Sequence, residues 1–174
     1  MTTLLLLAGI TIFRMGGDID LPDAPNGAAL RTMGGDIHIA RAAGKVIAKT
    51  MGGNIEIRSI DGSAEASTMG GDIRVTVNGH GAGHDLDLYS MGGEIELLLP
   101  ADFDGDFSVE VEEGDGSDQN HRVISDFPLS TRESTRWRFF GGHHLVHTAT
   151  GHSGSGANRV RIATIGSNIT IRKK

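Results

Sequence analysis

Cysteine is absent from this 174-residue chain. No disulfide and no thiolate metal site can form, and nothing in the composition marks a redox compartment. Aromatic residues are scarce, at 5%, which suits a thin interior that admits aliphatic side chains better than rings. Positive charge is also short: the net charge of −6 argues against a general nucleic-acid binder, which carries a basic stripe. The one locally basic stretch holds Arg159, Arg161, Arg172, Lys173 and Lys174, and reads as a solvated strand face and terminus. No apolar run reaches the roughly 18–20 residues that span a bilayer. The hydrophobic content of 38% suits one domain with a modest core.

Glycine, by contrast, is abundant, with 26 residues, and it is ordered. The segment MGGDIDL begins at Met15, MGGDIHI at Met33, MGGNIEI at Met51, MGGDIRV at Met69 and MGGEIEL at Met91, at intervals of 18, 18, 18 and 22 residues. A further copy, IGSNITI, begins at Ile165. Short self-similarity at a fixed period is the signature of a solenoid. Counted from Met, the fifth and seventh places are always aliphatic: Ile19 and Leu21, Ile37 and Ile39, Ile55 and Ile57, Ile73 and Val75, Ile95 and Leu97, Ile169 and Ile171. The sixth place is polar throughout, so the segment alternates with period two, as a half-buried strand does.

A second strand precedes each corner. Five and three residues before Met lie Ile10 and Ile12, Ala28 and Leu30, Val46 and Ala48, Ala64 and Ala66, and Leu86 and Leu88, with Val160 and Ile162 before Ile165. Immediately before the corner stands Thr32, Thr50, Thr68, Ser90 or Thr164, Arg14 being the exception. Alternation points that hydroxyl inward, toward its counterpart one coil away or the corner backbone. Gly-Gly is expected to supply positive φ for the sharp turn, and the Met thioethers to fill the corner from inside. The expected fold is an all-β, single-domain β-solenoid over residues 1–174, with coils of about 18 residues and an irregular aromatic C-terminal cap.

Along the chain, residues 1–14 read as a partial first coil. The run LLLLAGITIF (4–13) has the length of a signal-peptide core, but lacks a basic flank and a small-residue cleavage site, and Ile10 and Ile12 fall in the ladder phase. Regular coils follow over 15–113, with Gly27, Gly44, Gly62 and Gly79, Gly81 or Gly83 at the opposite turn. The segment VNGHGAGHD (77–85) holds four extra residues and is expected to bulge outward. An irregular loop and cap region covers 114–157. Within or beside it, EEGDGSDQN (112–120) reads as an exposed acidic loop, Phe127, Trp137, Phe139 and Phe140 as a cap, and GHSGSGA (151–157) as a turn. A closing coil occupies 158–174.

The repeated GGDI or GGEI strands, the segment GEIELLLP (93–100) and the ending GSGANRVRIATIGSNITIRKK (154–174) resemble the bacterial adhesin-like β-strand-repeat family, whose domain has no assigned function. The resemblance covers most of the chain. It implies a β-solenoid at the cell envelope or outside the cell, and it carries no catalytic residues. The Met before Gly-Gly is more regular here than that family pattern implies, and an export signal is not evident.

Three groups of residues are candidates for binding. The fourth places stack Asp18, Asp36, Asn54, Asp72 and Glu94; such a carboxylate ladder can recruit Ca²⁺, but the spacing differs from calcium-binding β-roll repeats, and capping of the corner backbone by Asp and Asn is the preferred reading. The sixth places Glu56, Arg74 and Glu96 alternate in sign between coils and suit cross-strand pairing. Finally, His143, His144, His147 and His152 cluster near the C-terminus, with His80, His84 and His121 elsewhere. On a strand, His143 and His147 share a face and can chelate Zn²⁺ or Cu²⁺, although no neighbouring carboxylate is set by spacing and a solvated loop is preferred.

No nucleophile elbow, phosphate loop or dinucleotide fingerprint occurs, since the glycines precede strands where a phosphate site needs a helix N-terminus. The expectation is therefore a non-enzymatic structural or interaction module without a required cofactor, whose partners are itself, end to end into fibres, or a cell-surface protein or glycan. The competing expectation is a metal- or carbohydrate-dependent enzyme or binding protein that uses the C-terminal His and aromatic zone.

Overall fold

A computed structural model describes residues 9–79, 83–113, 122–138 and 142–174, and their side chains apart from 136–138 and 142–144. In chain order the strands are β1 (Ile10–Phe13), β2 (Ile19–Leu21), β3 (Ala28–Arg31), β4 (Ile37–Ile39), β5 (Ala42–Ala43), β6 (Val46–Lys49), β7 (Ile55–Asp61), β8 (Ala64–Thr68) and β9 (Ile73–Val77). They continue with β10 (Leu86–Ser90), β11 (Ile95–Leu99), β12 (Gly105–Glu112), β13 (Val123–Ser125), β14 (Ser130–Arg138), β15 (Gly142–Ser153), β16 (Asn158–Ile165) and β17 (Ile169–Lys173). The described residues contain no helix. The protein is all-β, with two mostly parallel sheets and no closed barrel.

The nine-stranded sheet runs β1-β3-β6-β8-β10-β16-β12-β15-β14, and the eight-stranded sheet runs β13-β17-β11-β9-β7-β4-β2, with β5 beside β7. Register follows the repeat place by place. Ile19, Ile37, Ile55, Ile73, Ile95 and Ile169 pair in turn across one sheet. Ile10, Ala28, Val46, Ala64, Leu86 and Val160 do so across the other. These columns meet in one core, where each large aliphatic except the half-buried Ile10 is almost wholly buried and contributes roughly 1.5–3 kcal/mol of transfer free energy. A one-residue slip turns every such side chain outward, so the alternation itself fixes the register.

Strand order follows chain order as far as β10 and β11 and departs from it beyond them. After β11 the chain skips a position: β12 and β13 lie one step beyond, and the last copy, β16 and β17, returns to fill the vacant slot. The closing copy is therefore an internal layer, held between Leu86 and Phe107 through Val160. Beyond it, β12 pairs antiparallel with β15, and β15 with β14. Phe103, Phe107 and Phe127 are buried here, with ring centroids 6.2 Å and 5.1 Å apart. Phe127 agrees with the expected aromatic end; Phe139 and Phe140 lie outside the described residues, as does the Trp137 side chain.

Two expectations about the corner are overturned. The methionines do not fill it from inside: Met15 is 78% exposed, and Met33, Met51, Met69 and Met91 are between 42% and 49% exposed. Thr32, Thr50, Thr68 and Ser90 take the inward position and are buried, so alternation sends the next residue out. Nor does positive φ explain the glycine pairs, because Gly17 alone among them has it, at 83°. The third place is glycine for closeness: a Cβ at Gly35, Gly53, Gly71 or Gly93 would collide with the carbonyl of the preceding copy's third-place glycine. Positive φ belongs instead to the opposite turn, at Gly27, Gly44 and Gly62.

Candidate functional site

The corner is stitched between copies by two columns of side chains. Thr32, Thr50, Thr68, Ser90 and Thr164 donate their hydroxyls to the carbonyls of Gly17, Gly35, Gly53, Gly71 and Gly93, at 2.8–3.1 Å. This is the corner-backbone alternative for the inward hydroxyl. The fourth-place column works the same way. Asp18 accepts from the backbone N–H of Asp36 at 2.9 Å, Asp36 from that of Asn54 at 2.7 Å, Asn54 from that of Asp72 at 2.8 Å, and Asp72 from that of Glu94 at 2.8 Å. Asn54 substituting for Asp without loss of the bond shows that the role is acceptance by one oxygen, which either side chain supplies. Glu94 is too long for that geometry, and it accepts from the Asn168 amide at 3.2 Å instead.

On the sixth-place column, Arg74 reaches Glu96 at 2.6 Å. Glu56 meets Arg58 on its own strand at 3.3 Å and His38, opposite it on β4, at 3.3 Å. The Arg58 hydrogen bond, with that of His38 behind it, holds the Glu56 carboxyl below its ordinary range. Exposed pairs of this kind stabilise by only about 0.2–1 kcal/mol each. Between the fourth and sixth columns runs a shallow groove of about 410 Å³, lined by His38, Glu56, Arg74, Glu96, Thr170 and Arg172 among others. Charges of both signs alternate along it. It holds no pairing of a nucleophile with a base. On the opposite sheet Lys49 meets Glu65 at 2.5 Å, and that bond lowers the Glu65 pKa.

The histidines scatter. His84 is buried, where its ring nitrogen Nδ1 lies 3.2 Å from the Gly62 carbonyl and its backbone N–H donates to Asn158 at 2.8 Å. The expected outward bulge over 77–85 is thus wrong at this residue. His80, His121 and the side chains of His143 and His144 lie outside the described ones. His147, on β15, has acquired carboxylates that spacing did not set. Its Nε2 is 3.2 Å from Glu113 and its Nδ1 is 3.5 Å from Glu133. The two acids sit on opposite edges of the ring, so they clasp it and do not converge on one ion. Glu112 and Glu113, expected in an exposed loop, are buried, because β12 extends to Glu112 and the Glu113 N–H donates to the Leu145 carbonyl; residues 114–121 lie outside the described ones. Among the described residues no three His, Cys, Asp or Glu side chains are arranged to hold a metal.

One clamp had no signal in the repeat. Asp104 accepts from the Ser155 hydroxyl at 2.7 Å and from the N–H groups of Gly156 and Ala157 at 2.6 Å and 2.9 Å. The Ser155 hydroxyl above all, and then these amides, hold its carboxyl down to about 2. The clamp fixes the turn that sends the chain back into the vacant slot. Its residues lie 51 to 53 positions apart, far outside the repeat period.

The two ends of the stack differ. At one, β1 and β2 are the edge strands; Ile10 and Ile12 are half-buried and Phe13 is 68% exposed. At the other, the nine-stranded sheet ends in β14, STRESTRWR, which is rich in charge and hydroxyl groups. The eight-stranded sheet ends there in the three-residue β13. Among the described residues no helix is long and apolar enough to cross a membrane. Comparison with protein-family models, with curated proteins and with solved structures found no match.

Proposed function

We propose that this chain is a non-enzymatic interaction module, a β-solenoid with coils of about 18 residues, that associates through the end bounded by β1 and β2. The 18-residue offset of the paired copies supports the solenoid reading. The observation that carries the functional reading is the contrast between the ends. An edge strand offers a row of backbone donors and acceptors to any partner, and proteins blunt such edges with charge and short length. β14 is charged along its nine residues; at the other end β2 is as short as β13 and carries Asp20, but β1, ITIF, has no charged side chain and leaves Phe13 exposed. Two copies meeting at that end form an isologous contact that closes as a dimer, whereas head-to-tail addition continues into fibres.

Negative-stain microscopy with sedimentation velocity over a concentration series tests this. Double-length particles are expected, and Ile12→Lys should return them to single length. Fibres would mean that the β13 and β14 end also adds, and a concentration-independent monomer would refute the proposal. The resemblance of the repeat supports a place at the cell envelope or outside the cell, with a surface protein or glycan along the charged groove as a further partner class.

The competing reading, an enzyme or metal-dependent binding protein in the C-terminal zone, draws on the clasp of His147 by Glu113 and Glu133. It requires zinc or copper bound at micromolar level and lost in His143→Ala with His147→Ala. A protein that binds neither metal would remove it.

A further inference from the structure

The fold accounts for every place of the corner except the first two. Glycine is required at the third place by closeness and the hydroxyl before Met by its bond to a glycine carbonyl. Nothing comparable holds Met or the glycine beside it. The five methionines stand 42–78% exposed in a column along one edge. Next to them, a Cβ built at Gly16, Gly34 or Gly52 meets nothing within 4 Å, and one at Gly70 or Gly92 makes only an ordinary contact, 3.9 Å or 3.6 Å, with a Met carbonyl of the preceding copy. None of these five glycines has positive φ. Five times, then, the chain leaves out a side chain that the fold would accept, and five times it sets a thioether beside the space. The copy at Ile165 stacks in the same register with Ile in place of Met, and its second-place glycine, Gly166, has φ 67°. Packing alone does not demand the pair.

We propose that the corner column of Met33, Met51, Met69 and Met91 binds a soft monovalent cation, Cu(I), between the sulfurs of adjacent copies. Thioether sulfur selects Cu(I) over harder ions. Corners on neighbouring strands repeat at about 4.8 Å, a separation over which flexible Met side chains can place two sulfurs on one ion. The bare glycine column leaves that approach open. Three residues further on, Asp36 and Asp72 each commit one oxygen to a backbone N–H. Their charge attracts a cation at short range. Binding displaces no proton, because a thioether carries none; histidine sites, by contrast, compete with protons near pH 6.5.

The test uses the full chain with ¹³C-methyl methionine, titrated with Ag(I), and separately with Cu(I) under ascorbate against a chromophoric Cu(I) chelator. The expected result is a shift of the four methyl resonances at both pH 7 and pH 5, with Zn²⁺ and Cu²⁺ leaving them in place. Met51→Leu with Met69→Leu should weaken Cu(I) binding at least tenfold while thermal unfolding stays unchanged. Methyl resonances that do not move, or a quadruple Leu variant that binds Cu(I) as the parent does, would overturn the proposal. The methyl readout on the parent chain decides the matter even if a variant folds poorly.

Discussion

The first half of the molecule and the last are built from the same alternating strands, yet they acquire their neighbours differently. From β2 to β11 each strand pairs with its counterpart one copy away, so register is settled locally by ladder, hydroxyl and carboxyl columns that repeat. From β12 onward the chain leaves a slot, makes an antiparallel hairpin, and fills the slot last. There the neighbours of a strand lie far away in sequence, and closure depends on single contacts such as the Asp104 clamp. A repeat extends itself; an ending must be specified.

The largest test of that contrast is removal of residues 158–174. The slot between β10 and β12 would stand empty, and amide exchange should reveal β12 to β15 without protection while β3 to β8 keep theirs. Protection persisting in β12 would break the inserted-strand order. Next in size, Gly53→Ala places a methyl against the Gly35 carbonyl and should cost about 3 kcal/mol or more. The adjacent Gly52→Ala should stay within about 0.5 kcal/mol. Urea unfolding of the two variants measures the difference, and equal midpoints would contradict the stacking account.

A smaller effect tests the fourth-place column. Asp36→Ala removes the acceptor of the Asn54 N–H and should destabilise by about 1 kcal/mol, whereas Asp36→Asn keeps an oxygen in place and should lie close to the parent. Calorimetric scans of both check it. The smallest expected effect is on the Asp104 clamp. Its carboxyl falls from an ordinary 3.8 to about 2 on folding, so the folded state favours the ionised form. The stabilisation is present above pH 3.8 and is lost as pH falls toward about 2. Exchange at the amides of Gly156 and Ala157 should accelerate over that window, and Asp104→Asn should remove the pH dependence.

The stacked columns were legible because the chemistry recurs. Ile19 to Ile169 and Ile10 to Val160 declare themselves by period two within a copy, and Ile19 to Ile73 and Ile10 to Ala64 by period 18 between copies, and Asp18 to Asp72 declare a capping role by admitting Asn54. What the repeat could not reveal was what happens once. The insertion of β16 between β10 and β12 rests on Val160, which reads as one more ladder residue. The carboxylates about His147 come from Glu113 and Glu133, brought to it by antiparallel pairing that no spacing announces. The methionines misled for another reason: Met is apolar, but the Thr before it already occupies the inward corner.

The central claim, association through the β1 and β2 end, can be tested with a pair of labels. Because the chain has no cysteine, Thr11→Cys and Ser130→Cys each give a single spin-label site, one at each end. Pulsed dipolar spectroscopy of the Thr11 label should report a short distance between copies, and the Ser130 label none. No dipolar coupling from the Thr11 label at any concentration, or coupling from the Ser130 label alone, would contradict the account.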